Sequence, residues 1–146
     1  MLQQLRIMLA SFVAVLAILG VVAVAVAPDS GDVPAAAVGG AVVLYGLASR
    51  LASRLIERPL DCASPESLRL TYQTRFFLRI AIAEAAALIG FAGVFVSGSW
   101  WPYLVGVLFA LAGFVRAAPT ELSLSRDQDE LATTGCALQL RDVLTR

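Results

Sequence analysis

A single carboxylate, Glu84, stands inside the apolar run RFFLRIAIAEAAALIGFAGVFV over residues 75–96. At about 1.5 Å per helical residue, the step from Arg75 to Glu84 covers about 13 Å, close to the middle of a hydrocarbon core about 30 Å thick. An ionisable group at that depth is costly to keep, and such groups mark relays, ion paths or partner contacts. Its neighbours three, four and seven residues away on a helix are Phe77, Ile80, Ala81, Ala87, Leu88 and Phe91, all apolar. Those surroundings favour a neutral carboxyl, which can exchange a proton or donate a hydrogen bond. Glu84 is the candidate proton-binding residue.

Tyr45 is its candidate hydrogen-bond partner. It lies thirteen residues before Arg58, a depth that matches Glu84 if the two flanking helices form an antiparallel hairpin. A phenol and a carboxyl at one depth can satisfy each other, and a packing role on another face is the alternative. Arg75 and Arg79 share one helix face, as do Arg50, Arg54 and Arg58, which are spaced by four. Arginines at the ends of a span send their heads to the headgroups, so Arg50, Arg54, Arg75 and Arg79 are candidate contacts for lipid phosphate or a partner's carboxylate. Glu84 stands five residues from Arg79, about 140° around a helix, and no pair within the helix is expected.

Other chemistry lacks its residues. The 146-residue chain has no histidine, removing the commonest metal ligand and the usual near-neutral base. Gly39-Gly40 is isolated and reads as close helix packing, and no nucleophile–base arrangement or phosphate loop occurs. No enzyme activity, cofactor or metal site is expected. Cys62 and Cys136 have no paired spacing and read as two small, reduced, semi-apolar residues. A net charge of zero leaves no basic field for nucleic acid.

The elements that must hold these residues are transmembrane helices. Hydrophobic residues make up 59% of the chain, with mean hydropathy +0.81, above the usual share of a soluble domain. Four helices are expected, at about 6–27, 34–57, 75–97 and 100–116, forming a transmembrane four-helix bundle over residues 1–118. The first is expected to be retained rather than cleaved as a leader, because Pro28 disfavours cleavage after Ala-Val-Ala. Small residues in the second and fourth let backbones approach in lipid. Trp100, Trp101 and Tyr103 read as an interfacial belt.

Between the second and third helices, Ser64 can cap a short helix reaching Gln73. Residues 119–146 form a helical tail, with a capping box at Ser125 and Gln128, a C-terminal glycine at Gly135, and a stripe at Cys136, Ala137, Leu140, Val143 and Leu144. This tail is expected on the membrane surface or against another protein. Arginines crowd the loop between the second and third helices, whereas the turns at 28–33 and 97–102 have none. The positive-inside rule then puts both termini and that loop in the cytoplasm.

Residues 74–96 resemble the ion-binding helix of the rotary ATP synthase c subunit, the rotor-ring proteolipid. Glu84-Ala85-Ala86-Ala87-Leu88-Ile89-Gly90 matches that family's pattern, and Arg58-Pro59 lies in the preceding loop. The resemblance implies that Glu84 is a proton-binding carboxylate. It covers about a sixth of the chain, and the alternating glycines of the family's first helix are missing. The whole chain also looks like small four-helix membrane proteins of high-GC bacteria. The function expected is that of an accessory or interaction subunit of a cytoplasmic-membrane complex, partnered by lipid and by other subunits or further copies. The alternative is a proton-translocating proteolipid.

Overall fold

The computed structural model describes residues 2–56 and 60–145, with side chains described for residues 3–52 and 60–144. The described chain is all-helical, with α1 (Leu2–Val26), α2 (Ala35–Ile56), α3 (Pro65–Ser97), α4 (Trp101–Ala117), α5 (Glu121–Thr133) and α6 (Leu140–Thr145). Three of these, α1, α2 and α3, are long and apolar enough to cross a membrane. With 17 residues, α4 joins them as a fourth if it is taken together with α5, from which it bends by 61°.

Helix α3 is longer than expected. Its 33 residues form one rod of about 50 Å, rather than a capped short helix followed by a separate span. Ser64 caps it as foreseen, its hydroxyl accepting from the Ser67 amide while Ser67 returns a bond to the Ser64 amide. Continuity follows from Leu68, Tyr72, Phe76 and Ile80, which carry the buried stripe of the span back through the first turns without a break. The rod exceeds the thickness of a typical hydrocarbon core by about 20 Å.

The most extensive packing is between α3 and α4. It is permitted by small residues on both sides. A side chain at Gly106 would collide with the backbone of Ala86 and Ala87, and one at Gly90 would lie 2.6 Å from the Pro102 carbonyl oxygen. Ala110, on the same face of α4, is fully buried. Without a hydrophobic drive between helices in lipid, such close backbone contact supplies the attraction.

The helices define two ends. At the turn end, the Val33 amide donates to the Val96 carbonyl at 3.2 Å, tying the α1–α2 connection to the tip of α3. Gly98 ends α3 with a left-handed φ of 64° and packs against the backbone of residues 28–31. Trp100 and Trp101 are exposed there as a belt would be, but Tyr103 is buried and its hydroxyl donates to the Leu16 carbonyl of α1. Tyr103 is thus a clamp between helices and no part of a belt.

The tail folds onto its own chain at the other, polar end. The capping box opening α5 is Thr120 with Ser123, five residues before the expected one, because Pro119 and Thr120 already stop α4 and start anew. Gly135, with φ 76°, closes it in a Schellman arrangement: the Cys136 amide reaches Leu131 and the Gly135 amide reaches Ala132, each at 3.1 Å. The following helix spans only Leu140–Thr145. Gln128 holds its start, accepting from the Leu140 amide at 2.7 Å and donating to the Leu138 carbonyl.

Leu131, Leu140 and Leu144 are almost fully buried, in one core with Leu68, Tyr72 and Phe76. Burying one such leucine contributes about 2 kcal/mol. The apolar stripe of the tail is therefore spent within the chain, not on a membrane surface or a second protein. Cys62 and Cys136, expected as separate thiols, are joined in a disulfide across 74 residues of sequence. Only the fold-back brings them together.

Candidate functional site

Two acidic positions stand out. The first is Glu84, which is half-buried on α3 at mid-span. Its neighbours Ile80, Ala83 and Ala87 are buried and Leu88 is exposed, so the carboxyl lies where the protein core meets the outer surface. Among the described residues it has no hydrogen bond or ion pair. Tyr45 reaches the expected depth but donates to the Ile82 main-chain carbonyl at 3.2 Å instead of to Glu84. A phenol has one proton to give, and a carbonyl beside it on α3 takes that proton first.

The second position was not visible in the sequence. Arg75 is only 7% exposed, though it sits at the start of the apolar run. Its guanidinium makes a bidentate pair with Glu130 of α5, at 3.2 and 2.9 Å. Asp127, one turn earlier on α5 and 1% exposed, lies 4.0 Å from Arg75 and 3.8 Å from Arg79. Neither oxygen of Asp127 accepts a direct hydrogen bond among the described residues.

Burial pushes the Asp127 carboxyl above the usual carboxylate range. Arg79, Arg75 and Arg126 pull it back down, in that order, and Glu130 adds to the rise. Arg75 and Arg79, expected to meet lipid phosphate or a partner's carboxylate, both lie beside carboxylates of the chain's own α5. The motif that could have shown it is D-x-x-E on α5, residues 127 and 130, which puts two acids on one face toward Arg75.

Arg50 packs its guanidinium over the Phe109 ring at 5.5 Å, a cation–π contact linking α2 to α4. The side chain of Arg54 lies outside the described residues. These groups surround a cavity of about 460 Å³ at the polar end, between α2, α3 and α4 and bordered by α5. Its wall includes Arg50, Arg75, Arg79, Arg116, Arg126 and Glu130. No group of three or more metal-ligating side chains occurs among the described residues. Glu84 does not line the cavity, so acid and arginines form two separate places.

No protein family, curated protein or solved structure matches this chain. What the chain does has to be argued from these two places and from its outer faces.

Proposed function

We propose that the chain is an integral protein of a bacterial cytoplasmic membrane, with α1 to α4 as four spans in a bundle, acting as an accessory or interaction subunit of a membrane complex. The observation that carries this reading is the outer face of α2. That helix has two sets of small residues. Gly39 and Gly46 are buried and receive Trp101 and Phe109 of the same chain. Ala37, Gly40, Ala41 and Ala48 share another, exposed face with Leu44, and a Cβ built at Gly40 would meet nothing within 4 Å. Small residues at that spacing allow a further helix to approach closely.

The arginines favour both termini on the cytoplasmic side, because every arginine with a described side chain lies toward the polar end and the turn end has Asp29 and Asp32. In that orientation the Cys62–Cys136 bond lies in a reducing compartment, and it forms there when conditions turn oxidising.

The test is the Gly40→Leu variant, solubilised from native membranes in mild detergent and sized by native electrophoresis. The natural chain should migrate in a complex larger than a monomer. Gly40→Leu should release it at unchanged thermal stability, since a Cβ at this position meets open space. A natural chain that runs as a lone monomer without a co-purifying protein overturns the reading.

A second reading is a proton-binding proteolipid that uses Glu84. Its support is the placing of that carboxyl, at mid-span and on the border between core and outer surface. A second subunit could exchange a proton with it there.

A further inference from the structure

We propose that the arginine-lined cavity at the polar end is a binding site for a phosphate-bearing anion, and that its occupant is the headgroup of an anionic phospholipid. The inference rests on the membrane placement proposed above and is independent of the partner reading.

Charge is the first reason. Five guanidinium groups, from Arg50, Arg75, Arg79, Arg116 and Arg126, come from four different helices to one cavity. The carboxylate of Glu130 in the wall and that of Asp127 behind Arg75 and Arg79 offset two of them. Arg116 and Arg126 bring two further positive charges to the edge of this space of about 460 Å³. Like charges collected in this way are held at lower cost when an anion joins them. Guanidinium groups match phosphate oxygens in pairs, which a point cation does not.

Shape and depth are the second reason. The cavity is within the size range of small-ligand sites, about 300–1,000 Å³. Its arginines are at one edge, whereas Ile82, Ala83, Ala86 and Phe109 line the side running toward mid-span. A soluble phosphate has no use for that apolar side. A phospholipid does, because its glycerol and first acyl carbons follow the headgroup into the hydrocarbon. Basic pockets between transmembrane helices take lipid headgroups for this reason.

The third reason is how the site is built. Glu130 and Asp127 engage Arg75 and Arg79 from the tail side, which fixes these guanidiniums at the back of the cavity. Arg116 and Arg126 are exposed at the rim, one at the end of α4 and the other on α5. A headgroup entering from the membrane meets the rim first and the fixed pair last.

The test uses the full chain in detergent micelles doped with either phosphatidylglycerol or phosphatidylcholine, with retained lipid counted by native mass spectrometry. The natural chain should retain phosphatidylglycerol in preference to phosphatidylcholine. Arg116→Gln combined with Arg126→Gln should cut that preference about tenfold, the scale of losing one or two charge-assisted hydrogen bonds. Both residues are exposed, so the fold should survive. Arg141→Gln, which removes an exposed pair with Glu121 outside the cavity, should leave the preference intact.

Equal retention of the two lipids, or a preference unchanged in the double variant, overturns the site. If inorganic phosphate displaces phosphatidylglycerol and protects the natural chain as well as the lipid does, the lipid assignment is overturned in favour of a soluble phosphate. A chain that stays monodisperse in buffer without detergent overturns the membrane placement itself, an outcome distinct from the other two.

Discussion

Glu84 and Asp127 are both acids in a chain rich in apolar residues, and they obtain their surroundings in opposite ways. Glu84 is encircled by residues of its own helix, and its depth can be counted from Arg75 along α3. Asp127 lies in a polar stretch, SLSRDQDEL, where nothing nearby in sequence announces burial. It is nonetheless the more buried of the two, because α5 folds back onto α3 and sets it beside Arg75 and Arg79. An acid in an apolar run draws notice from sequence. An acid whose cage is built by distant segments does not.

The largest effect should come from cutting the tie that holds the tail. Cys62→Ser opens a link across 74 residues, worth about 4 kcal/mol in a free chain and less where membrane spans already restrain it. The tail should loosen and the spans should remain. Limited proteolysis should therefore cleave within residues 119–146 of the variant far faster than in the oxidised natural chain, with the spans protected in both. Equal cleavage would mean that Leu131, Leu140 and Leu144 hold the tail without the bond. Labelling the reduced thiols with a membrane-impermeant reagent also reads the orientation: labelling only after the membrane is opened supports the cytoplasmic placement.

Next in size is the removal of Asp127 itself. Asp127→Ala removes a buried side chain packed beside Arg75 and Arg79 and leaves its space unfilled, a loss of about 2 kcal/mol. It should appear as earlier thermal release of the tail, followed by hydrogen exchange in α5. Asp127→Asn keeps the shape and the hydrogen-bonding capacity, and should cost about 1 kcal/mol. If Ala and Asn behave alike, the guanidiniums do not depend on this carboxylate.

The same residue sets a pH dependence. Burial raises the folded-state value of Asp127 above its ordinary one, so the docked tail holds this proton to higher pH than the released tail does. Stability from this group is full below the ordinary aspartate value and is lost as pH rises through the raised value. Protection of the α5 amides, taken relative to their intrinsic exchange rate at each pH, should accordingly rise on acidification through that window, and Asp127→Asn should flatten the trend. An opposite slope would mean that the arginines outweigh desolvation.

These contrasts explain how much could be read in advance. The spans were legible because long apolar runs with polar ends need no partner to be recognised. The α3–α4 packing was legible in part, since Gly106, Ala110 and Gly113 mark a close-approach face on α4. The unbroken length of α3 was not, because Leu68, Tyr72 and Phe76 look like a separate amphipathic turn until the leucines of the tail cover them. The start of α5 was missed because Ser123 stands at the position where Glu or Gln usually completes a capping box. The pairing of Cys62 with Cys136 requires the fold-back, which no local spacing encodes, and D-x-x-E on α5 marks a face with two acids without marking Arg75 as what it meets.

Glu84 should give the smallest change in stability and the most informative change in chemistry. With no described partner to lose, Glu84→Gln is expected to alter thermal stability by less than about 1 kcal/mol. Carbodiimides attack protonated carboxyls in apolar surroundings, so labelling membranes across pH and mapping the adducts reports on this carboxyl directly. Modification concentrated at Glu84 and fading as pH rises would favour proton exchange, and a proton-coupled function should then be abolished by Gln. An unreactive Glu84 together with a tolerated Gln would leave the carboxyl only a hydrogen-bonding part at a helix interface, and the comparison would then tilt. The acid that stands out in the sequence would be the bystander, and the concealed one on α5 would hold the polar end together.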